Sequence, residues 1–276
     1  ETSLRGCFFC MKKTNPIGIF DSGIGGLTVG HQITKLIPNE RIVYFGDTQH
    51  LPYGDKSGEA IKNYSTNITK FLIQQKCKMV IIACNTASAL AFNEVKKCCT
   101  DLAIAINVID PVVNYTSTSI AEKVGIIGTK NTISSDVYAS KLKEKNKKIT
   151  VSSLATPLLV PMIEEGFYKH KISSTIIANY LENEQLKNID FLILGCTHYP
   201  LIEDEIKQYY TTKVKIINSA KIVSKFVKES LVEADLLATE LPCSPHQFFV
   251  SDYTDSFEQS AQHFFGKRIN LVEVKL

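Results

Sequence analysis

Short aliphatic and β-branched runs alternate with longer stretches of helical periodicity all along the chain, which confines the fold to an α/β protein with parallel strands. Strands are expected near Ile17, Ile42, Met79 and Ala103, and again near Val124, Ile149, Phe191 and Val214. The intervals within the two sets of four are similar, so the chain reads as two similar halves. In open parallel sheets, ligands bind beyond the carboxyl ends of the strands. The residues directly behind each strand are therefore the candidates for chemistry.

Those residues are small and polar. Behind the first strand comes "DSGIGG", with Asp21 and Ser22 at the strand tip and glycines opening a helix. Its counterpart in the second half is "GTKNT", with Thr129 and Thr132. Behind the second strands lie "LPYG", containing Pro52, Tyr53 and Gly54, and "TPLLVPMIEEG", which carries Glu164. Behind the third strands the design repeats closely: "MVIIACNTAS" places Cys84 before Asn85 and Thr86, and "FLILGCTHYP" places Cys196 before Thr197 and His198.

A cysteine at a strand tip near the start of a helix sits where backbone N–H groups favour the thiolate, and its ordinary pKa of about 8.5 can fall by a unit or more there. Two thiols on opposite walls of one cleft can invert a stereocentre: one removes a proton from a carbon while the other donates to the opposite face. One sulfur must then start as S⁻ and the other as SH, so their surroundings must differ. Asp21 near one thiol, and His198 or Glu164 near the other, can supply that difference. The hydroxyls and amide of Ser22, Asn85, Thr86, Thr129 and Thr197 suit the carboxylate and ammonium of a small substrate.

The bulk properties narrow the class further. With 44% hydrophobic and 21% charged residues in a chain of 276, the composition is that of a globular protein with a real core. The net charge of +3 is small, and the basic run "KLKEKNKK" from Lys141 carries no aromatics, so it reads as a solvated helix end and nucleic acid is not indicated. No apolar run approaches the ~18 residues that span a bilayer. The stretch after Met11 ends at Asp21 where a signal peptide's apolar region would continue, and eight cysteines without a regular framework fit a reducing compartment. A cytoplasmic location is expected. Residues 1–10 read as a leader or remnant, in which the Cys7 and Cys10 pair is weak evidence for zinc.

The ordered set "GIFDSGIGGLTV", "FGDTQHLPYGDKS", "IIACNTASA", "GTKNTISSDVY", "PLLVPMIEEG" and "LGCTHYPLI" closely resembles the glutamate racemases, from Met11 to about Ala220 and less distinctly beyond. These are cofactor-independent enzymes that supply D-glutamate for bacterial peptidoglycan. The resemblance implies two α/β domains with the active site in the cleft between them: residues 11–108 plus 219–276, and 109–218. It implies Cys84 as the base for the D-enantiomer and Cys196 for the L-enantiomer, assisted by Asp21, Glu164 and His198. Ser22, Pro52, Tyr53, Gly54, Asn85, Thr86, Thr129, Thr132 and Thr197 match substrate-contacting positions. Glutamate is the implied partner, with no cofactor and no metal, and a homodimer is the implied assembly. Departures are Gln49, His50 and Leu51 before the "PYG" element, where Ala-Arg is common, Thr156 in place of a frequent cysteine, and Asn131 in place of a frequent glycine.

Blander readings compete at each position. A lone cysteine ending a buried strand is more often an inert small hydrophobe, and only the repeated placement favours chemistry. Cys77, Cys98, Cys99 and Cys243 read as structural or surface residues, and His31, His170, His246 and His263 as ordinary ones. "DSGIGG" lacks the phosphate-loop spacings and carries an aspartate at its mouth, so nucleotide binding is the weaker reading. Cys196 and His198 stand two apart in an expected turn, without a standard zinc spacing. An aspartate or hydantoin racemase, or a two-lobed amino-acid binding protein without chemistry, are the alternative functions.

Overall fold

The computed structural model describes residues 11–211 and 213–276. The terminal stretch with Cys7 and Cys10 lies outside the described residues. Among the described residues ten strands form two sheets, and every pairing is parallel. The first sheet contains β1 (Ile17–Asp21), β2 (Ile42–Gly46), β3 (Met79–Ile82), β4 (Ile104–Asn107), β9 (Gln247–Val250) and β10 (Leu271–Glu273), in the order β10-β9-β2-β1-β3-β4. The second contains β5 (Lys123–Gly128), β6 (Thr150–Ala155), β7 (Phe191–Gly195) and β8 (Lys215–Ile217), in the order β6-β5-β7-β8.

The two orders are the same motif used twice. In each half the second strand joins one side of the first, and the third and fourth join its other side. All eight strands expected from the sequence are present within a residue of their expected starts. The last two strands were not anticipated. They carry the chain back to the first sheet, β9 pairing with β2 and β10 with β9.

Alternation along the strands sorts side chains onto opposite faces, as a period of two requires. Phe20, Val43, Phe45, Val80 and Ile82 face α2 (Gly58–Gln74) and α3 (Asn85–Cys99). Ile17, Ile19, Tyr44, Met79 and Ile81 face the other way, into a core shared with α1 (Leu27–Leu36) and α10 (Ser219–Glu233). That second core continues without a break to Ile127, Leu192 and Leu194 of the second sheet. One apolar cluster thus fastens both sheets. Each such aliphatic side chain, fully buried, contributes ~1.5–3 kcal/mol, so the relation between the sheets rests on many residues. The far face of the second sheet packs Val124, Ile126 and Ile193 against α4 (Ile109–Ser117) and α6 (Val137–Lys145). The basic run from Lys141 is the end of α6 and the turn after it, as expected.

Lys78 is a charged residue buried beside the first sheet together with Glu40. It is fully buried, and its Nζ donates to Glu40 at 2.7 Å and to the carbonyls of Lys13 and Leu236 at 2.6 and 2.8 Å. Glu40 also accepts from Ala238 N. The pair ties the segment before β1 to the chain leaving α10.

Candidate active site

In each half the strand order reverses between the first and third strands, and residues behind those two strands face a common crevice. Behind β1 and β3 stand Ser22 and Cys84; behind β5 and β7 stand Thr129 and Cys196. All four line one cavity of about 220 Å³. Glu164, His198, Pro52, Tyr53, Gly54, Asn85, Thr86 and Thr197 line it too. The volume lies below the roughly 300–1,000 Å³ of pockets that take drug-sized ligands, and suits a small metabolite. Asp21 and Thr132 do not line it. Asp21 is fully buried behind Ser22, and Thr132 touches the lining hydroxyls from behind.

Cys84 is the N-cap of α3: its Sγ accepts from Ala87 N at 3.5 Å and approaches Ser22 Oγ at 3.6 Å. An N-cap sulfur was expected to have a lowered pKa. The structure gives the opposite. Burial, and next the negative charge of Asp21, push the Cys84 thiol up to about 12, against the smaller opposing pull of Ala87 N and Ser22. The charge of Cys196 adds to the rise. At neutral pH Cys84 is SH. Desolvation outweighs two weak hydrogen bonds because nothing positively charged stands beside this sulfur.

Cys196 has different company. It follows β7 but precedes a short 3₁₀ turn, Tyr199–Ile202, with α9 (Glu203–Tyr210) beginning only at Glu203, so it caps no α-helix. Its Sγ lies 3.7 Å from His198 Nδ1, and His198 Nε2 lies 2.8 Å from Glu164 Oε1. Burial opposes a charged His198, yet the hydrogen bonds and charges of Cys196 and Glu164 outweigh it and raise the imidazole pKa well above its usual 6.5. The sulfur, imidazolium and carboxylate form one relay. Glu164 comes from the end of α7 (Leu159–Glu164) and His198 from the turn behind β7, so the relay closes only in the folded chain.

The two halves meet tightly here. Thr28 Oγ1 donates to the carbonyl of Thr197 at 2.9 Å, and Thr197 Oγ1 donates to Asp21 Oδ1 at 3.5 Å. Burial raises the Asp21 pKa, partly offset by His198 and by the N–H groups of Gly26 and Gly23. A Cβ on Gly25 would strike the His198 ring and stand 2.6 Å from Thr197 Oγ1. Glycine is required there for close approach.

Three threonines complete the floor. Thr86 Oγ1 lies 2.8 Å from Thr129 Oγ1 and 3.1 Å from Thr132 Oγ1, and the latter two are 3.0 Å apart. Thr86 belongs to the first half and the others to the second, where Thr129 caps α5 (Lys130–Ser134). Asn85 is held by Tyr138, whose hydroxyl donates to its Oδ1 at 2.7 Å. Tyr53 donates to the buried Asp47 at 2.5 Å, and Asp47 also meets His50 Nδ1 and Ser251 Oγ, each at 2.8 Å. His50 thus anchors the "PYG" turn, its ring stacked on Tyr64 at 3.9 Å.

Sequence reasoning missed part of the lining. Thr156, Pro157, Val160 and Pro161 form the wall around Glu164, with Thr156 bonded to the Tyr199 hydroxyl at 2.6 Å. At the mouth, Lys130 pairs with Asp55 across the halves at 3.2 Å. In the sequence Thr156 is marked only as a departure, and the others lie within the quoted motifs without an assigned role. Among the described residues, no three His, Cys, Asp or Glu side chains gather as metal ligands.

The sequence pattern of the family described as Asp/Glu/Hydantoin racemase matches residues 29–227, more than half of the chain. A glutamate racemase of Caldanaerobacter subterraneus subsp. tengcongensis is 38% identical over 263 residues, covering 95% of this chain and 94% of the relative. The chain belongs to the Asp/Glu/hydantoin racemase family. It is an amino-acid racemase, an isomerase. Among solved racemase structures, that of the Francisella tularensis glutamate racemase in complex with D-glutamate is 39% identical with a TM-score of 0.88, covering 95% of this chain and 98% of that one. A glutamate racemase isoform from Bacillus anthracis is 34% identical with a TM-score of 0.89, covering 96% and 98%. The racemase fold expected from the sequence, two similar parallel-sheet halves, is therefore shared with these relatives.

Proposed function

We propose that the protein interconverts L- and D-glutamate by proton transfer at Cα between Cys84 and Cys196, without a cofactor. The observation that carries this reading is the pair of cavity-lining thiols at equivalent strand ends with unlike neighbours. The resting state is Cys84–SH facing Cys196–S⁻ beside the His198 cation. With L-glutamate bound, the Cys196 thiolate takes the Cα proton and the Cys84 thiol delivers its own to the opposite face. D-glutamate forms, leaving Cys196–SH and Cys84–S⁻, the state that acts on the D-enantiomer.

Without an electron sink, the carbanionic charge must be met by fixed dipoles in a dry site. The hydroxyls of Thr86, Thr129 and Thr197, the Ser22 hydroxyl and the Asn85 amide supply donors to the substrate's carboxylates, and Glu164 with His198 holds the proton balance at Cys196. Glutamate as substrate is supported by the names of the relatives and by the complex of the Francisella enzyme. The domain division 11–108 plus 219–276 and 109–218 is supported by sheet membership. A homodimer in the cytoplasm, supplying D-glutamate for peptidoglycan, completes the reading; no helix among the described residues is long and apolar enough to cross a membrane.

The test is incubation in D₂O with each glutamate enantiomer and no added cofactor, following optical rotation and Cα deuterium together. Inversion with one solvent deuterium in the product is the expected result. Turnover of L-aspartate but not L-glutamate would move the substrate, and exchange from neither would sink the two-thiol scheme.

A further inference from the structure

The cavity wall formed by Pro52, Tyr53 and Gly54 belongs to a single 3₁₀ turn, Tyr53–Asp55, outside either sheet. From its own half the turn is held through the Tyr53 hydroxyl on Asp47. From the other half, Asn131 holds its backbone. Asn131 Nδ2 donates to Tyr53 O at 2.9 Å and to Lys56 O at 2.8 Å, the two carbonyls that bracket the turn. Both partners can only accept, so the amide must present its NH₂ edge.

Asn131 stands two residues after Thr129, whose hydroxyl lines the cavity and whose side chain caps α5. A Cβ on Gly54 would stand 3.2 Å from Thr129 Cβ, so the turn and the start of α5 are in contact. The Lys130–Asp55 ion pair crosses beside it, but both groups are more than half exposed and such pairs contribute little. The half-buried Asn131 is the directional link.

We propose that Asn131 is a positioning residue, clasping the Pro52–Gly54 wall to the Thr129 cap so that the cavity is shaped before glutamate arrives. This rests on the glutamate racemase reading and deepens it. Asn131 touches neither thiol, so its loss weakens binding rather than the proton transfer. Two net hydrogen bonds predict a KM for both enantiomers raised roughly tenfold in Asn131→Ala, with kcat within about twofold of wild type. Asn131→Asp sets a carboxylate against two carbonyls and raises KM further.

Amide hydrogen exchange at residues 53–56 gives a readout independent of activity: exchange there quickens in both variants while the β-strand amides keep their protection. An unchanged KM overturns the proposal. So does a thermal midpoint lowered by more than about 5 °C with kcat and KM worsening together, which would mark a general structural role. Should the wild-type protein not turn over glutamate, the racemase reading fails by itself. The clasp is then judged by exchange alone, faster exchange at 53–56 upholding it and unchanged exchange overturning it.

Discussion

The surroundings of Cys84 and Cys196 differ more than their matching strand ends imply. Cys84 caps a helix, bonds weakly to Ser22, and has its pKa raised by burial and by the Asp21 carboxylate. Cys196 caps no α-helix and instead touches an imidazole whose pKa is raised against burial, by Cys196 and then by Glu164. Backbone symmetry placed two sulfurs alike, and the folded chain gave them unlike ionic neighbours. A two-base racemase needs that inequality, since equal thiols would leave no defined donor and acceptor.

The strongest way to break the comparison is to delete either sulfur. Cys84→Ala and Cys196→Ala should each lower racemisation by roughly 10³-fold or more. In D₂O, Cys84→Ala should still exchange the α-proton of L-glutamate with retention, and Cys196→Ala that of D-glutamate. Exchange from the opposite enantiomers would reverse the assignment of faces.

Removing the relay is the next step. His198→Asn should reduce kcat/KM by roughly 10²-fold, and equally in both directions because the enantiomers are equal in free energy. The asymmetry should emerge in the α-deuterium isotope effect, which grows more with L- than with D-glutamate; equal growth would tell against a one-sided relay. His198 also predicts a pH-dependent stability. A histidine whose folded pKa is raised contributes stability fully present below its unfolded value near 6.5, lost as pH rises through the folded value. Denaturant unfolding should therefore show wild type exceeding His198→Asn most at about pH 6, with the gap closing in alkali.

Asp21 tests the other side of the comparison. Its raised pKa favours the neutral acid in the fold, so its stabilisation is present below pH 3.8 and lost as pH rises through the folded value. Asp21→Asn should thus raise the thermal midpoint at pH 7 while slowing turnover, a trade between stability and function. A lower midpoint would mean that its bonds from Gly23 and Thr197 outweigh the buried charge. The smallest effect belongs to Ser22→Ala. Losing a bond that favours the Cys84 thiolate should lower kcat from D-glutamate a few-fold, by about the ~1 kcal/mol of one hydrogen bond, and barely touch kcat from L-glutamate.

Much of the fold was legible before any coordinates. Strands such as β3 and β7 are legible because doubly buried strands are near-continuous apolar runs, and "MVII" and "FLILG" admit little else. Strand β9, between β2 and β10, and the edge strand β10, with Val272 and Glu273 exposed, were not. Within the site, the thiols and small hydroxyls were visible because a strand's end fixes where the next polar residue points. Asn131 and Thr156 stood out only as departures, and Lys130 and the rest of the wall around Thr156 carried no role, because their partners lie in the other half or on another element.

The sequence by itself determined where each parallel strand ends, and hence that two cysteines and a ring of hydroxyls face a common crevice. Apolar runs and small polar residues are local facts, written one after another along the chain. Tertiary structure alone decided how unlike the surroundings of the two sulfurs are. A pKa depends on what burial removes and which charges come near, and those charges are brought from distant segments: Asp21 from β1 toward Cys84, and Glu164 from α7 through His198 toward Cys196.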